Sequence, residues 1–193
     1  MAKTPALVLI ALAGWLCSVG SLADPLHKVG DQSAWRHEHS GWLFPKQIGA
    51  FTRIGLPYTI DGNSDVGGRY EQAGSEPRVS AAVDVYAADS AAADAKFQNA
   101  KASTARLAGA SARVTSEEPF RLGAPGDFRA IKVTYVSDAE TKSESSLYFI
   151  ETERWIVKVF ASTQATGPDA GERLDAFVNA LPWDTLNSPG LLH

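Results

Sequence analysis

"RVSAAVDVYAAD", Arg78–Asp89, followed directly by "SAAADAKFQNAKASTARLAGA", Ser90–Ala110, decides the fold class. In the first stretch every second residue of Val79–Val85 is apolar, which predicts a strand with one buried face. The opposite face then carries Ser80, Ala82, Asp84 and Tyr86. The second stretch is rich in alanine, the best helix former, so it predicts a helix. A strand that leads straight into a helix indicates a sheet with a helix packed on it.

This helix has recognisable ends and a narrow apolar stripe. Asp89 or Ser90 is predicted to cap its start, and Gly109 to end it. The stripe has helical spacing and mostly small side chains, so the helix is expected to lie close against the sheet. Its members are Phe97, Ala100, Thr104, Leu107 and Ala108.

The rest of the chain alternates strand-like and turn-like segments. The predicted further strands are Phe51–Ile60, Val66–Gln72, Ala112–Phe120, Asp127–Ser137, Ser145–Glu151 and Trp155–Ser162. A last helix is predicted in "PDAGERLDAFVNAL", with a buried stripe of Ala170, Leu174, Phe177, Val178 and Leu181, and Trp183 is expected to pack back. Hairpin-length connections predict an α+β fold: a mainly antiparallel sheet of about six or seven strands with two helices packed on it.

The first residues have the pattern of a secretory signal peptide. Lys3 is positive, Ala6–Gly20 is almost wholly apolar, and Ser21-Leu22-Ala23 places small residues before a cut at Asp24. The alternative is an uncleaved anchor, but a membrane span needs about 18 or more apolar residues. Cleavage removes the only cysteine and takes the net charge from −4 to −5. We therefore expect a periplasmic or secreted protein with no transmembrane segment after cleavage.

The predicted organisation has four parts. Residues 1–23 are the signal peptide, 24–40 an N-terminal arm, 41–183 a single α+β domain and 184–193 a C-terminal tail. The surface is mildly acidic and contains no run of Lys or Arg, which argues against nucleic acid as a partner.

Three segments resemble a group of small exported proteobacterial proteins of unassigned function. They are "SGWLFPKQIGAFTR" (40–53), "YTIDGNSDVGGRYEQ" (58–72) and "VDVYAADS" (83–90), and the resemblance runs from Gly41 to Trp183. Ala87 stands where that group's pattern has proline. The order of strands and helices also resembles the PsbP-like (Mog-like) α/β/α sandwich, a likeness that implies an accessory or binding role rather than an enzyme.

Two histidines form the first candidate site. In an extended chain, His37 and His39 point to the same side and are able to grip one Zn²⁺ or Cu²⁺. A site needs a third protein ligand, and His27 and His193 lie in terminal segments. The favoured interpretation is a solvated arm, with weak metal binding through the His37/His39 arm as an alternative function.

Asp61, Asn63 and Asp65 form the second candidate, a D-x-N-x-D run similar to a Ca²⁺ loop. The pattern wants glycine at position 6 and glutamate at position 12, where this chain has Val66 and Gln72. A hairpin turn is therefore the favoured interpretation, with weak Ca²⁺ binding as the alternative.

Catalytic groups are sparse in the predicted domain. No histidine occurs between Ser40 and Leu192, so the usual general base is missing, and no G-x-S-x-G or phosphate-binding glycine pattern occurs. Glu117 and Glu118 would point to opposite faces of a strand. We accordingly assign no catalytic, cofactor-binding or metal-binding residues and expect no cofactor, while a carboxylate-based envelope hydrolase remains an alternative.

Aromatic residues at strand spacing have two interpretations: core side chains, which we favour, or the lining of a ligand groove. They are Trp42, Phe44, Phe51, Tyr58, Tyr70, Tyr148 and Trp155. The leading expectation is an exported, non-enzymatic accessory or binding module of the cell envelope, whose partner is an envelope protein or a small ligand.

Overall fold

The protein was analysed as a computed structural model. It describes residues 26–29, 33–61, 65–74, 78–88, 92–124, 126, 128–138, 143–164 and 168–186. Within these ranges the strands are β1 (Leu26–Val29), β2 (Ala34–His37), β3 (Leu43–Pro45), β4 (Gln47–Ile48), β5 (Phe51–Asp61), β6 (Asp65–Gln72), β7 (Val79–Ala87), β8 (Ala112–Pro119), β9 (Arg129–Ser137), β10 (Ser143–Glu151) and β11 (Trp155–Thr163). The helices are α1 (Ala93–Ala108), α2 (Pro168–Asn179) and a 3₁₀ turn, Trp183–Thr185. The predicted signal peptide lies outside the described residues.

The described strands form two antiparallel sheets. The larger has eight strands in the order β4-β5-β6-β7-β11-β10-β9-β8, and the smaller has three in the order β1-β2-β3. The predicted α+β class with a mainly antiparallel sheet is confirmed, but the estimate of six or seven strands is too low. The missed strands, β1 to β4, have two to four residues each. Alternation over so few residues is too short to recognise in a sequence.

The two helices lie on opposite faces of the eight-stranded sheet. Under α1, Phe97 and Ala100 pack against an apolar patch made of Val133, Tyr135, Leu147, Phe149 and Ile156. Val133 and Tyr135 are alternate residues of β9 and therefore point to the same face of the sheet, the one that α1 covers. The chain leaves the sheet after β7, forms α1 and returns to the sheet at β8, which is an edge strand. Helix α1 therefore crosses the sheet between these two strands.

Helix α2 and the smaller sheet cover the other face. The predicted stripe of α2 is buried at Leu174, Phe177, Val178 and Leu181. Trp183 packs back as predicted: its Nε1 donates to the Val178 carbonyl at 2.8 Å, and its ring meets Trp42 edge-on at 5.2 Å. Trp42 is 1% exposed, so the core interpretation of this tryptophan is confirmed.

The prediction that both histidines of the N-terminal arm are solvated is wrong for His37, whereas His39 is exposed. Within 24–40, β1 and β2 are paired strands, and His37 is 0% exposed. The His37 Nδ1 lies 2.7 Å from the Ser40 Oγ, and the ring meets Trp155 edge-on at 5.8 Å. The polar sequence did not indicate this packing, because each short strand of the three-stranded sheet buries only the few side chains on one face.

Helix α1 departs from its prediction in two places. It begins at Ala93 after Ala92, which provides no side-chain cap, and the predicted caps at 89 and 90 lie outside the described residues. Leu107, assigned to the buried stripe, is 68% exposed. The helix ends at Gly109 as predicted, where φ is +109° and a side chain would be strained.

Candidate functional site

Helix α1 covers only part of its face of the sheet. It packs over β8, β9, β10 and β11, which lie at one side, and leaves β5, β6 and β7 largely outside its footprint. Ile54 and Arg69, directly opposite each other across β5 and β6, are exposed on this face. A groove therefore runs along the flank of the helix.

Paired residues of β7 and β11 form the floor of this groove. Directly opposite residues share a face of the sheet. The four pairs are Tyr86 with Ile156, Asp84 with Lys158, Ala82 with Phe160, and Ser80 with Ser162. These pairs span seven residues of each strand. At about 3.4 Å per residue, the floor of the groove is therefore about 20 Å long. We call this space the α1 groove.

One stripe of the helix forms the wall of the α1 groove. Its members follow helical spacing and are Lys96, Asn99, Ser103 and Leu107. The exposure of Leu107 is explained by this position, because the side chain lines the open flank instead of the sheet contact. The hydroxyl of Ser103 donates to the Asn99 and Ala100 carbonyls at 2.9 and 3.1 Å, so it stays close to the helix.

A hydrogen-bonded cluster occupies the middle of the floor. Asp84, 8% exposed, accepts from the Tyr58 hydroxyl at 3.2 Å and from the Tyr86 hydroxyl at 3.1 Å. The Lys158 ammonium lies 2.8 Å from the same carboxylate and 5.4 Å from the centre of the Tyr86 ring. We call these four residues the Asp84 cluster. Three donors thus hold one buried carboxylate, which is how a buried charge is made tolerable.

The tyrosines of the Asp84 cluster hold their protons strongly. Burial, followed by the nearby Asp84 carboxylate, raises the pKa of Tyr86 above its usual range. The pKa of Tyr58 is raised for the same two reasons, in the same order. Both hydroxyls are therefore neutral donors to Asp84 at any physiological pH.

Glycine at position 67 is what allows Tyr58 to reach this cluster. A Cβ added there would lie 2.6 Å from the Asp84 Oδ1 and 2.7 Å from two atoms of the Tyr58 ring. The ring therefore lies directly on the bare backbone of β6, and its hydroxyl extends over the sheet to Asp84. The sequence indicates Gly67 only as a weakness in a strand, but the structure uses it as space for a side chain.

The α1 groove widens into a cavity at each end. The cavity beside the start of α1 has a volume of about 270 Å³ and is bounded by Lys96 and Asn99 on the helix and by Tyr86, Phe149 and Ile156 on the sheet. We call it the Lys96 cavity. The other, about 200 Å³, lies near Leu107, Phe160 and the Ser80–Ser162 pair, whose hydroxyl oxygens are 3.1 Å apart.

The histidine candidates lie elsewhere. The rings of His37 and His39 are near each other, with centres 5.5 Å apart, at the junction of the two sheets. Among the residues that the structure describes, no group of three His, Cys, Asp or Glu side chains is placed to hold a metal ion. Of the proposed further ligands, His27 is in β1 and His193 lies outside the described residues.

The acidic run lies where two paired strands of the sheet meet. Asp61 and Asp65 face each other across β5 and β6, and residues 62–64, with Asn63, lie outside the described residues. The Asp65 Oδ1 accepts from the backbone N–H of Ala87 at 3.4 Å. This side chain also reaches the rim of the Lys96 cavity.

The aromatic prediction was correct about the core and incomplete about the groove. Six of the seven named aromatics are buried, and Tyr58 alone of that set belongs to the α1 groove. The sequence reasoning missed Asp84 and Lys158 as a pair. Each is a single charged residue in the middle of an apolar strand, "VDV" and "VKV", and that was the available signal.

Comparison with known proteins yields little. No protein-family model matches the chain, and no curated protein matches it. A solved structure of a Pseudomonas aeruginosa protein of unknown function is similar over 65% of this chain and 88% of that one, with 14% identity and a TM-score of 0.41. A similarity at this level identifies neither a fold family nor a function, so the PsbP-like assignment stays a prediction.

Proposed function

We propose that this chain is an exported, non-enzymatic binding module of the cell envelope and that the α1 groove is its binding surface. The observation that carries the proposal is the form of that groove. It is a long, partly apolar depression whose polar groups are already fixed by the Asp84 cluster. Concave, mostly apolar surfaces with a few fixed polar groups are typical of ligand sites.

The chemistry of the Asp84 cluster favours recognition over proton transfer. A general base works best with a pKa near the operating pH and needs a lone pair free for its substrate. The Asp84 carboxylate accepts from Tyr58, Tyr86 and Lys158, and the tyrosine pKa values are shifted away from neutrality by burial. Fixed donors and acceptors of this kind bind a partner without having to reorganise.

Export is supported by the first 23 residues, which have the charge, apolar length and cleavage pattern of a signal peptide. In the part of the chain that the structure describes, neither helix has the length and apolar character needed to cross a bilayer.

Export is tested by expressing the full chain with a C-terminal tag in a bacterial host that has a periplasm. We expect the tagged protein in the osmotic-shock fraction and an amino terminus at Asp24. The matched variant Ala23→Arg lacks the small residue that cleavage requires. It should therefore keep residues 1–23. Recovery of the uncleaved wild-type chain in the cytosol would contradict the proposal.

The binding surface is tested by site-specific photocrosslinking in the native envelope. A photoreactive residue at Asn99, on the groove wall, should yield a defined adduct, and one at Glu118, exposed on β8, should not. Adding Ser103→Leu, which fills the groove, should abolish the Asn99 adduct. Equal adducts from both positions, or an Asn99 adduct insensitive to the filling, would argue against the groove.

A further inference from the structure

The two lysines at the Lys96 cavity retain donor capacity. Lys96 donates to the Ala87 carbonyl at 2.7 Å, and Lys158 lies 2.8 Å from the Asp84 carboxylate. An ammonium has three N–H donors, so each lysine has further N–H groups to offer. Among the residues that the structure describes, Lys96 has a carbonyl and no carboxylate as its hydrogen-bond partner. Within the described part of the chain its positive charge is thus in no ion pair.

The position of Lys158 is fixed in advance. The Asp84 cluster holds its ammonium against the sheet, and 20% of the side chain is exposed. A cation held in this way loses little conformational entropy when an anion arrives, and partial burial reduces screening by water. The hydroxyl of Tyr86 donates to Asp84, so its proton is not available to an anion in the cavity.

One part of the Lys96 cavity is apolar, although Asn99 and Ser103 also line it. Phe149 and Ile156 are buried in the sheet, and Ala100 is buried in the helix, so these three residues offer carbon atoms to a ligand. One liquid water occupies about 30 Å³, so a cavity of about 270 Å³ has room for a ligand of about nine non-hydrogen atoms. The site is therefore matched to a small molecule with an apolar body and one charged end.

We propose that the Lys96 cavity binds a small organic acid, with its carboxylate on Lys96 and Lys158 and its apolar body on Phe149 and Ile156. This inference rests on the proposed binding function and names the ligand class. Asp65 also lines this cavity and accepts from the N–H of Ala87, the residue whose carbonyl holds Lys96, so the two lysine charges have to outweigh its repulsion of an anion. A charge-assisted hydrogen bond of an ammonium to a carboxylate is about twice as strong as a neutral one, which gives the cavity its preference.

Three probes of nearly equal size and shape separate charge from apolar contact: phenylacetate, phenylacetamide and 2-phenylethylamine. Binding to the purified protein is followed by two-dimensional NMR of backbone amides. We expect a Kd for phenylacetate on the order of 1 mM, about five- to tenfold below that of the amide, with the amine weakest. The shifted amides should include those of β11 and the first turns of α1.

Lys96→Gln keeps most of the side chain and removes the charge. We expect it to weaken phenylacetate by about five- to tenfold and to leave phenylacetamide unchanged. Lys46→Gln, an exposed lysine at the other end of the sheet, is the matched control and should change neither. Ser103→Leu should weaken all three probes because it removes volume. Amide dispersion in the NMR spectra shows directly that each variant is folded.

The outcomes divide clearly. An amine bound more tightly than the acid, or an acid no better than the amide, would overturn the ligand class and identify Asp65 or the apolar floor as dominant. A Lys96→Gln variant with unchanged preference would do the same. If these results came together with a groove-dependent photocrosslink, the binding function would stand and the organic-acid assignment alone would fall. An acid preference without any groove-dependent crosslink would retain the assignment and remove the protein partner.

Discussion

Replacing Gly67 by alanine should destabilise the fold through one side chain, Tyr58. The added Cβ would be 2.7 Å from two ring atoms and 2.6 Å from the Asp84 Oδ1. Carbon atoms pack best at about 3.5 Å or more, so the ring has to move by about 0.8 Å. That movement lengthens the 3.2 Å hydrogen bond from the Tyr58 hydroxyl to Asp84.

The magnitude follows from three contributions. Overpacking costs about 1–3 kcal/mol, and a lost hydrogen bond costs about 1 kcal/mol. Alanine is better than glycine in a strand interior by roughly 0.5–1 kcal/mol, which offsets part of this loss. The net decrease in the free energy of unfolding is about 2 kcal/mol. With a urea m-value of about 2 kcal/mol/M, the midpoint of unfolding should fall by about 1 M.

The assay is equilibrium urea unfolding followed by tryptophan fluorescence, carried out as a double-mutant cycle. In a Tyr58→Ala background the ring is absent and the Asp84 carboxylate is able to rotate away. Gly67→Ala should then cost less than about 1 kcal/mol, because the strand preference of alanine is no longer opposed. An equal cost in both backgrounds would refute the reasoning, since the penalty would then come from Asp84 or the β6 backbone and not from Tyr58.

Three further predictions concern the α2 face of the sheet. Gly171→Ala should raise the unfolding free energy by about 0.5–1 kcal/mol in the same urea assay, because the new Cβ makes only ordinary contacts, the nearest at 3.5 Å, and alanine favours a helix; a loss of stability would contradict this. Lys132→Met should lower it by about 2–3 kcal/mol, because the lysine lies 2.6 Å from the Asp175 carboxylate and its loss leaves that charge unpaired; Lys132→Met with Asp175→Leu should recover most of the loss. Burial, then the hydrogen bond to Asp175, raises the pKa of Tyr148, so unfolding releases its proton above pH 10 and stability falls as the pH rises. Tyr148→Phe should reduce that alkaline slope by up to about 1.4 kcal/mol per pH unit between pH 10 and 12, and an unchanged slope would exclude Tyr148 as its source.

The long elements were predictable because their periodicity extends over many residues. The alternation of Val79–Val85 and the stripe of α2 specify which face is buried, and neighbouring hairpins then specify an antiparallel sheet. The segment around His37 was not predictable in this way. Its burial depends on Trp155, more than a hundred residues away, and no local pattern reports a contact of that kind.

The α1 groove was unpredictable for a related reason. Asp84 and Lys158 are unremarkable as single residues, and their partnership depends on the register between β7 and β11. The exposure of Leu107 likewise depends on which strands α1 covers and which it leaves open, not on the helical spacing of the residue. Helical spacing states that a residue belongs to a stripe, but the width of the contact is decided by the neighbouring strands.

The Asp84 cluster has a cost that packing alone would avoid. A buried ion pair is often less stabilising than apolar residues of the same volume, because both charges lose their hydration. Strands β7 and β11 are apolar on either side of the pair, and Val83, Val85, Val157 and Val159 are fully buried on the other face. A sheet that served only as a scaffold would be more stable with apolar residues at positions 84 and 158 as well. Polar groups held at such a cost in the floor of an open groove are the physical reason for our proposal that binding occurs there and not at the histidines.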